Sequence, residues 1–372
     1  MCLLALTVAL LVCEPWLVAA RLPAATAGAD AHHGRLIEVE RRELISNGSP
    51  APPGRYPYMC AVGRAAQDAV TVTYGLQHCG GTLVAPQVVI TAAHCTADSY
   101  GRILRGLAVL CNTTRLGTSS LIDGVEFRHI TQALLHPNST EVREAAAGGG
   151  TPAASGNSDG SLQDQPTAAA QPFTDGDVAL LLLDSPIEGL QPVEVATTEQ
   201  WDSINSTGTE LRVVGWGAIS EGDTPSSFPR QLQEGTLPLV DPAACARLYR
   251  LSEFDGVQQY IDALLAICAG FTAGAKTLPC AGDSGGPLLY TPHADDPSTD
   301  IQVGIVSGGA GVCAGPALPG VFLRLDHYRD WVEAALQAVN STGHLPGGGA
   351  APGELIPVAQ AQQFTSSVPP SP

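Results

Sequence analysis

Short runs of β-branched and apolar residues, broken repeatedly by Gly, Pro or Asn, constrain the fold of this chain more than any other feature. They include "TLVAPQVVITAAH", "GVEFRHI", "DVALLLL", "LRVVGWG", "LLAICAGF" and "IQVGIVSGG". Val, Ile and Thr are stiff at χ1 and pack well on a pleated surface. Runs of this length between turn residues therefore read as strands, and the chain as all-β. One segment has a different period. In "DHYRDWVEAALQAV", Tyr328, Trp331, Val332, Ala335, Leu336 and Val339 recur at three- and four-residue steps. That spacing predicts a final amphipathic α-helix packed on the β core.

The rest of the 372 residues divides by composition. Residues 1–20, "MCLLALTVALLVCEPWLVAA", form an apolar run ending in small residues and read as a signal peptide, although no Lys or Arg precedes the run. Residues 21–44 are Ala-rich and without sustained period, the signature of a removable propeptide, and the adjacent His32 and His33 are incidental in such a leader. This leaves 45–340 as the folded body. Within it, the low-complexity insertion 140–172 lacks large apolar residues, as does the tail 341–372. Burial there cannot offset the entropy of ordering, so both are expected to be mobile.

Charge and cysteines narrow the environment. Thirty-six acidic against 18 basic residues give a net charge of −18, which disfavours nucleic acid as a partner. After the signal, no stretch approaches the ~18 apolar residues of a membrane span, so stable membrane insertion is not expected. Cys2 and Cys13 leave with the signal, and the even number remaining fits disulfides in an oxidising compartment. Sequons at Asn47, Asn112, Asn138, Asn205 and Asn340 agree with secretion.

"PCAGDSGGPLL", residues 279–289, sets Asp283 beside Ser284 in a run of glycines. In isolation this is a tight turn whose glycines supply positive φ. Upstream, however, His94 ends an apolar run in "VVITAAHC" and Asp177 begins another in "DVALLLL". The blocks TAAHC, DVALL and GDSGGP, in that order, resemble the chymotrypsin/trypsin family of serine peptidases over roughly Ile45 to Val339. The resemblance implies two antiparallel Greek-key β-barrels with a cleft between them and the C-terminal helix behind. It also implies a secreted endopeptidase made as a zymogen. Ser284 would be the nucleophile, His94 its general base and Asp177 the group that orients His94. The amides of Gly282 and Ser284 would form the oxyanion hole. Asp283 would pair with the α-amine of Ile45 once the propeptide is removed, because a buried carboxylate needs such a partner.

The same resemblance assigns a specificity pocket. Leu278 lies at its base, Gly309 and Gly320 on its walls, and Ser307 beside Asp177. With Leu278 in place a cationic side chain would be buried unpaired, so an apolar P1 residue is expected. Gly308 stands where the family usually has Trp, and Leu44, rather than Arg or Lys, precedes Ile45. Family bridges correspond to Cys79–Cys95, Cys245–Cys268 and Cys280–Cys313, leaving Cys60 with Cys111. No cofactor or metal is expected: the loop "NTTRLGTSSLIDGVE" lacks the paired acids of the family's calcium loop. The expected partners are protein or peptide substrates and protein protease inhibitors, with the enzyme itself a monomer. The alternative is a catalytically silent homologue used for binding or regulation. Its usual mark is a lost His, Asp or Ser, and none is lost here.

Overall fold

The buried runs in the first half of the chain become strands that close on themselves. The computed structural model describes residues 48–354 apart from 66–68, 70, 73–76, 99–101, 123, 141–174, 219–227, 252–259, 262–263, 271–277 and 309–317. The leader, Ile45, Gly309 and nearly all of the 140–172 insertion lie outside the described residues. After β1 (Ser49–Pro50) come β2 (Met59–Arg64), β3 (Gln77–Ala85), β4 (Val88–Thr91), β5 (Leu107–Cys111), β6 (Glu126–Leu135) and β7 (Ala179–Leu183). β4 and β7 are buried along their whole length. A continuous apolar strand of that kind belongs inside a closed sheet rather than on a half-exposed one. β2 to β7 form a closed barrel in the order β3-β2-β5-β6-β7-β4.

The second half repeats the plan. β8 (Glu194–Val195) and α1 (Thr198–Ile204), capped by a Thr197–Gln200 capping box, lead into β9 (Glu210–Gly215) and β10 (Gln233–Pro238). Next along the chain are α2 (Pro242–Arg250), β11 (Ala266–Ala269), β12 (Pro287–Tyr290), β13 (Ile301–Val306) and β14 (Gly320–Arg324). Their order is β10-β9-β12-β13-β14-β11, the first barrel's order with seven added to each number. The outer strands of this sheet curl toward each other. Leu239 and Ala269 bridge, Val240 N donates to Cys268 O at 2.8 Å, and Gly270 N donates to Pro238 O at 2.9 Å. Each half is thus a curled, mainly antiparallel sheet, as expected; one buried cluster runs through both halves, and a second, around Leu211, Val213, Leu288 and Phe322, lies in the second half.

Disulfides reinforce the joints. Cys60–Cys111 ties β2 to β5 at directly opposed positions, Cys79–Cys95 ties β3 to the turn after β4, and Cys245–Cys268 ties α2 to β11. Cys280 is also disulfide-bonded; its expected partner Cys313 lies outside the described residues. The final helix, α3 (Arg329–Thr342), buries Trp331, Val332, Ala335 and Val339, while Tyr328 belongs to the 3-10 turn before it.

The expectation of a mobile tail from residue 341 is corrected for residues 341–354. α3 runs on to Thr342 and stops at Gly343, φ 75°. The chain then turns back as a strap across the first barrel. Leu345, 2% exposed, donates its N–H to Gln132 Oε1 at 3.0 Å. Ala350 and Ala133 exchange two backbone bonds of 3.0 Å, Gly353 N donates to Ile103 O at 2.7 Å, and Ile103 N donates to Glu354 O at 2.9 Å. The expectation counted large apolar side chains, whereas the strap is held mostly by backbone pairing to groups the barrel leaves open.

Candidate active site

Strand register brings two distant residues together. Thr91, the last residue of β4, pairs with Ala179, the first of β7. The segment leaving β4 and the segment entering β7 therefore emerge at the same end of the barrel. His94 sits there in a 3-10 turn, Ala93–Cys95, and Asp177 lies two residues before β7. Asp177 Oδ1 accepts from His94 N at 3.0 Å, and Oδ2 lies 2.9 Å from His94 Nδ1. Ser307, just after β13, donates its hydroxyl to Oδ2 at 2.6 Å. A carboxylate only accepts, so the Nδ1 that faces it carries a proton. Asp177 is 3% exposed. Burial alone would raise its carboxyl, but the His94 charge and the hydrogen bonds from His94 and Ser307 hold it below the usual carboxylate range.

The turn carrying Asp177 is buttressed from behind. Tyr328 donates its hydroxyl to Asp175 Oδ1 at 2.6 Å and accepts from Gly176 N at 3.1 Å. Gly176 has φ 75°, and a Cβ there would lie 2.8 Å from His136 Nδ1. His136 packs edge-on against Tyr328 and Trp331, with ring centroids 4.9 and 5.2 Å apart. Burial lowers its pKa to about 4, so it is neutral at neutral pH. Sequence reading singled out neither Tyr328 nor His136 for this role, because the contact joins the end of the chain to a strand far earlier.

The Ser284 turn shows what its glycines are for. Gly282 and Gly285 have φ of 92° and 77°. A Cβ on Gly285 would also fall 2.1 Å from Thr91 Oγ1 and 2.5 Å from Gly80 O, and one on Gly80 would fall 2.9 Å from Gly286 Cα. The turn thus lies flat against β3, where Gly80 N donates to Ser284 O at 2.7 Å. The adjoining Cys79 is bonded to Cys95, next to His94. One strand of the first barrel therefore holds both the imidazole turn and the serine turn.

Asp283 points the other way, into the second barrel. It is fully buried and accepts from Gly217 N at 2.7 Å and Cys280 N at 2.9 Å. Its carboxylate fills the space a side chain on Gly215 or Gly217 would need. Among the described residues it forms no ion pair. Burial raises its pKa to about 6 even against those two donors. A carboxyl raised from 3.8 to about 6 binds its proton more readily in the folded state. Its stabilising share is full below about pH 4 and is lost as pH rises through about 6. In the uncleaved chain, Asp283→Asn should therefore gain stability relative to the parent by about 2 kcal/mol between pH 4 and pH 7. Urea unfolding of both chains across that range measures this. A difference that runs the opposite way, with the variant losing ground as pH rises, would mean that Asp283 is already paired with a cation.

Of the residues expected to line a specificity pocket, Gly309 lies outside the described residues. Leu278 is half-buried before Cys280, and Gly320 opens β14 with space limited by the Phe322 ring at 3.0 Å. Among the described residues, the cluster of potential metal-ligating atoms is Cys79, His94 and Cys95, and its two sulfurs are spent on a disulfide. An anchored imidazole beside a glycine-bent serine turn suits proton transfer from a hydroxyl nucleophile.

Comparison with known proteins finds relatives over most of the chain. The family model described as Trypsin matches residues 45–332. The chain is 28% identical over 292 residues to a Mus musculus protein described as tryptase, covering 78% of this chain and 88% of that one. It is 27% identical over 311 residues to Mus musculus serine protease 56, covering 84% of this chain but 42% of that one.

Proposed function

We take as premise that this chain belongs to the trypsin family of serine peptidases, and we propose that it is an endopeptidase that cleaves peptide bonds through an acyl-enzyme. The observation that carries this reading is the Asp177–His94 contact, with Ser307 on the same carboxylate oxygen. In this reading His94 Nε2 takes the proton of Ser284 as its oxygen attacks the substrate carbonyl, and later returns it to the leaving amine. Asp177 fixes the tautomer and stabilises the imidazolium. The amides of Gly282 and Ser284 meet the developing oxyanion. A phosphonate that captures only an activated serine should label the processed protein at Ser284. Failure of the processed wild type to take the label or to turn over peptides would overturn the reading.

Substrate choice is set by Leu278. An apolar base of the pocket favours apolar P1 residues, and an Arg or Lys there would be desolvated without a counter-charge. Across a P1 series, kcat/KM for Leu or Phe should exceed that for Arg, and Leu278→Asp should raise Arg turnover by about tenfold or more. A wild type that prefers Arg would refute this placement of the pocket.

Secretion and activation belong to the same reading. The disulfides Cys60–Cys111, Cys79–Cys95 and Cys245–Cys268 suit an oxidising compartment. Leu44 before Ile45 matches an apolar P1 preference, so the enzyme could free Ile45 from its own precursor. "RREL" also offers a route through cleavage after Arg41-Arg42 and removal of the dipeptide Glu43-Leu44. N-terminal sequencing of the secreted Ser284→Ala protein separates them. Leu44 still joined to Ile45 means self-cleavage, whereas a free Ile45 means trimming by another protease. An active enzyme that starts at Glu43 or earlier would exclude both.

A further inference from the structure

Gly282 has no side chain of its own, and the Asp283 carboxylate is turned away toward Gly217 N and Cys280 N, so the peptide plane between Gly282 and Asp283 must be held by other groups. Gly282 sits at φ 92°, Asp283 O is bonded within the turn by Gly286 N at 2.9 Å, and the carbonyls of Ala281 and Ser284 are held from outside it. Ala218 N donates to Ala281 O at 2.8 Å, and Gly80 N donates to Ser284 O at 2.7 Å. Gly282 O accepts from the side-chain amide of Gln77, Nε2, at 2.8 Å. The same nitrogen donates to Cys79 O at 3.0 Å. Both partners are carbonyls, so the amide must present its NH2 group, and each of its two hydrogens has an acceptor. The N–H of the same peptide plane, that of Asp283, donates to Cys280 O at 2.9 Å. That plane is thus gripped at both edges, at one edge by a side chain from the other barrel.

We infer that Gln77 is a positioning residue for the oxyanion hole, acting from the first strand pair of one barrel on the carbonyl of Gly282 in the other. The inference rests on the peptidase reading above. Gln77 touches neither the substrate nor the reacting atoms. It fixes the plane between the two amides that meet the oxyanion, so its loss acts on the transition state rather than on substrate binding. Deleting a direct oxyanion donor costs about 100- to 1,000-fold in kcat. Deleting a group that only orients the donors costs less, about tenfold on that scale.

The test uses the processed wild type, Gln77→Met, which keeps length but loses the donor, and Gln77→Glu, which keeps shape but turns an acceptor toward Gly282 O. Active sites are titrated first, so that kcat is read per competent molecule. The expected result is a roughly tenfold fall in kcat for Gln77→Met and a larger one for Gln77→Glu, with KM changed less than about twofold. Affinity for a peptide boronate, which mimics the tetrahedral state, should fall in step with kcat/KM, while affinity for a non-covalent product peptide stays level. A merely structural role would lower the melting temperature or the titratable fraction and leave per-site kcat alone. Wild-type kcat per site in either folded variant overturns the inference and leaves the peptidase reading standing. An inactive processed wild type overturns that reading itself.

Discussion

Ser284→Ala is expected to lower kcat on peptides by on the order of a millionfold while leaving the protein folded. The described contact that seats Ser284 is made by its backbone: its carbonyl accepts from Gly80 N at 2.7 Å. Alanine keeps that bond, and the turn's conformation is set by Gly282 and Gly285 rather than by the serine. The substitution therefore removes the hydroxyl oxygen, the proposed nucleophile, and little else. Residual rate enhancement would come from oxyanion stabilisation and binding alone. Single-turnover kinetics with a chromogenic peptide, phosphonate labelling and a thermal melt together measure it. Equal turnover by wild type and variant, free of contaminating protease, would remove Ser284 from the chemistry.

Asp177→Asn should bring a loss of about ten-thousandfold in kcat near neutral pH. The carboxylate accepts three hydrogen bonds, from His94 N on one oxygen and from His94 Nδ1 and Ser307 Oγ on the other. An amide has one oxygen to offer. Turned toward His94 N and away from Nδ1, it presents its NH2 to Nδ1, and the ring then carries its proton on Nε2, where it cannot accept from serine. The defect is one of tautomer, so KM should change little. Ser307→Ala is the control: it removes one donor but leaves the acceptor pair intact, and its loss should stay within about tenfold. An Asp177→Asn enzyme with kcat near wild type would mean that His94 is oriented by other groups.

Much of this arrangement could be read from the sequence, and for a physical reason. The three residues of the proposed triad each leave a local mark: a buried run ending at His94, another beginning after Asp177, and glycines around Ser284. Strand order came from the family resemblance, and the register that unites Thr91 with Ala179 explains why the first two marks meet. Contacts made by ordinary residues were not legible. Gln77 is one glutamine among several, and only the approach of β3 to the serine turn gives it a carbonyl to hold. Tyr328 read as part of a helix face, which hid its bond to Asp175. The strap was misread because composition reports the side chains available for burial and says nothing of backbone groups waiting for partners.

That strap also bears on how the protein is made. Gln132 and Leu345, which it joins, are 213 positions apart. At a synthesis rate of roughly 5–20 residues per second, the second partner leaves the ribosome some ten to forty seconds after the first. The first barrel can close its sheet in that interval. Ile103 N–H and the outer edge of Ala133, however, remain without their native partners until the last part of the chain arrives. Vectorial translation thus leaves one seam of the earlier half open until the later half is complete, and a chain that stalls or is clipped before residue 350 would emerge with that seam unsealed.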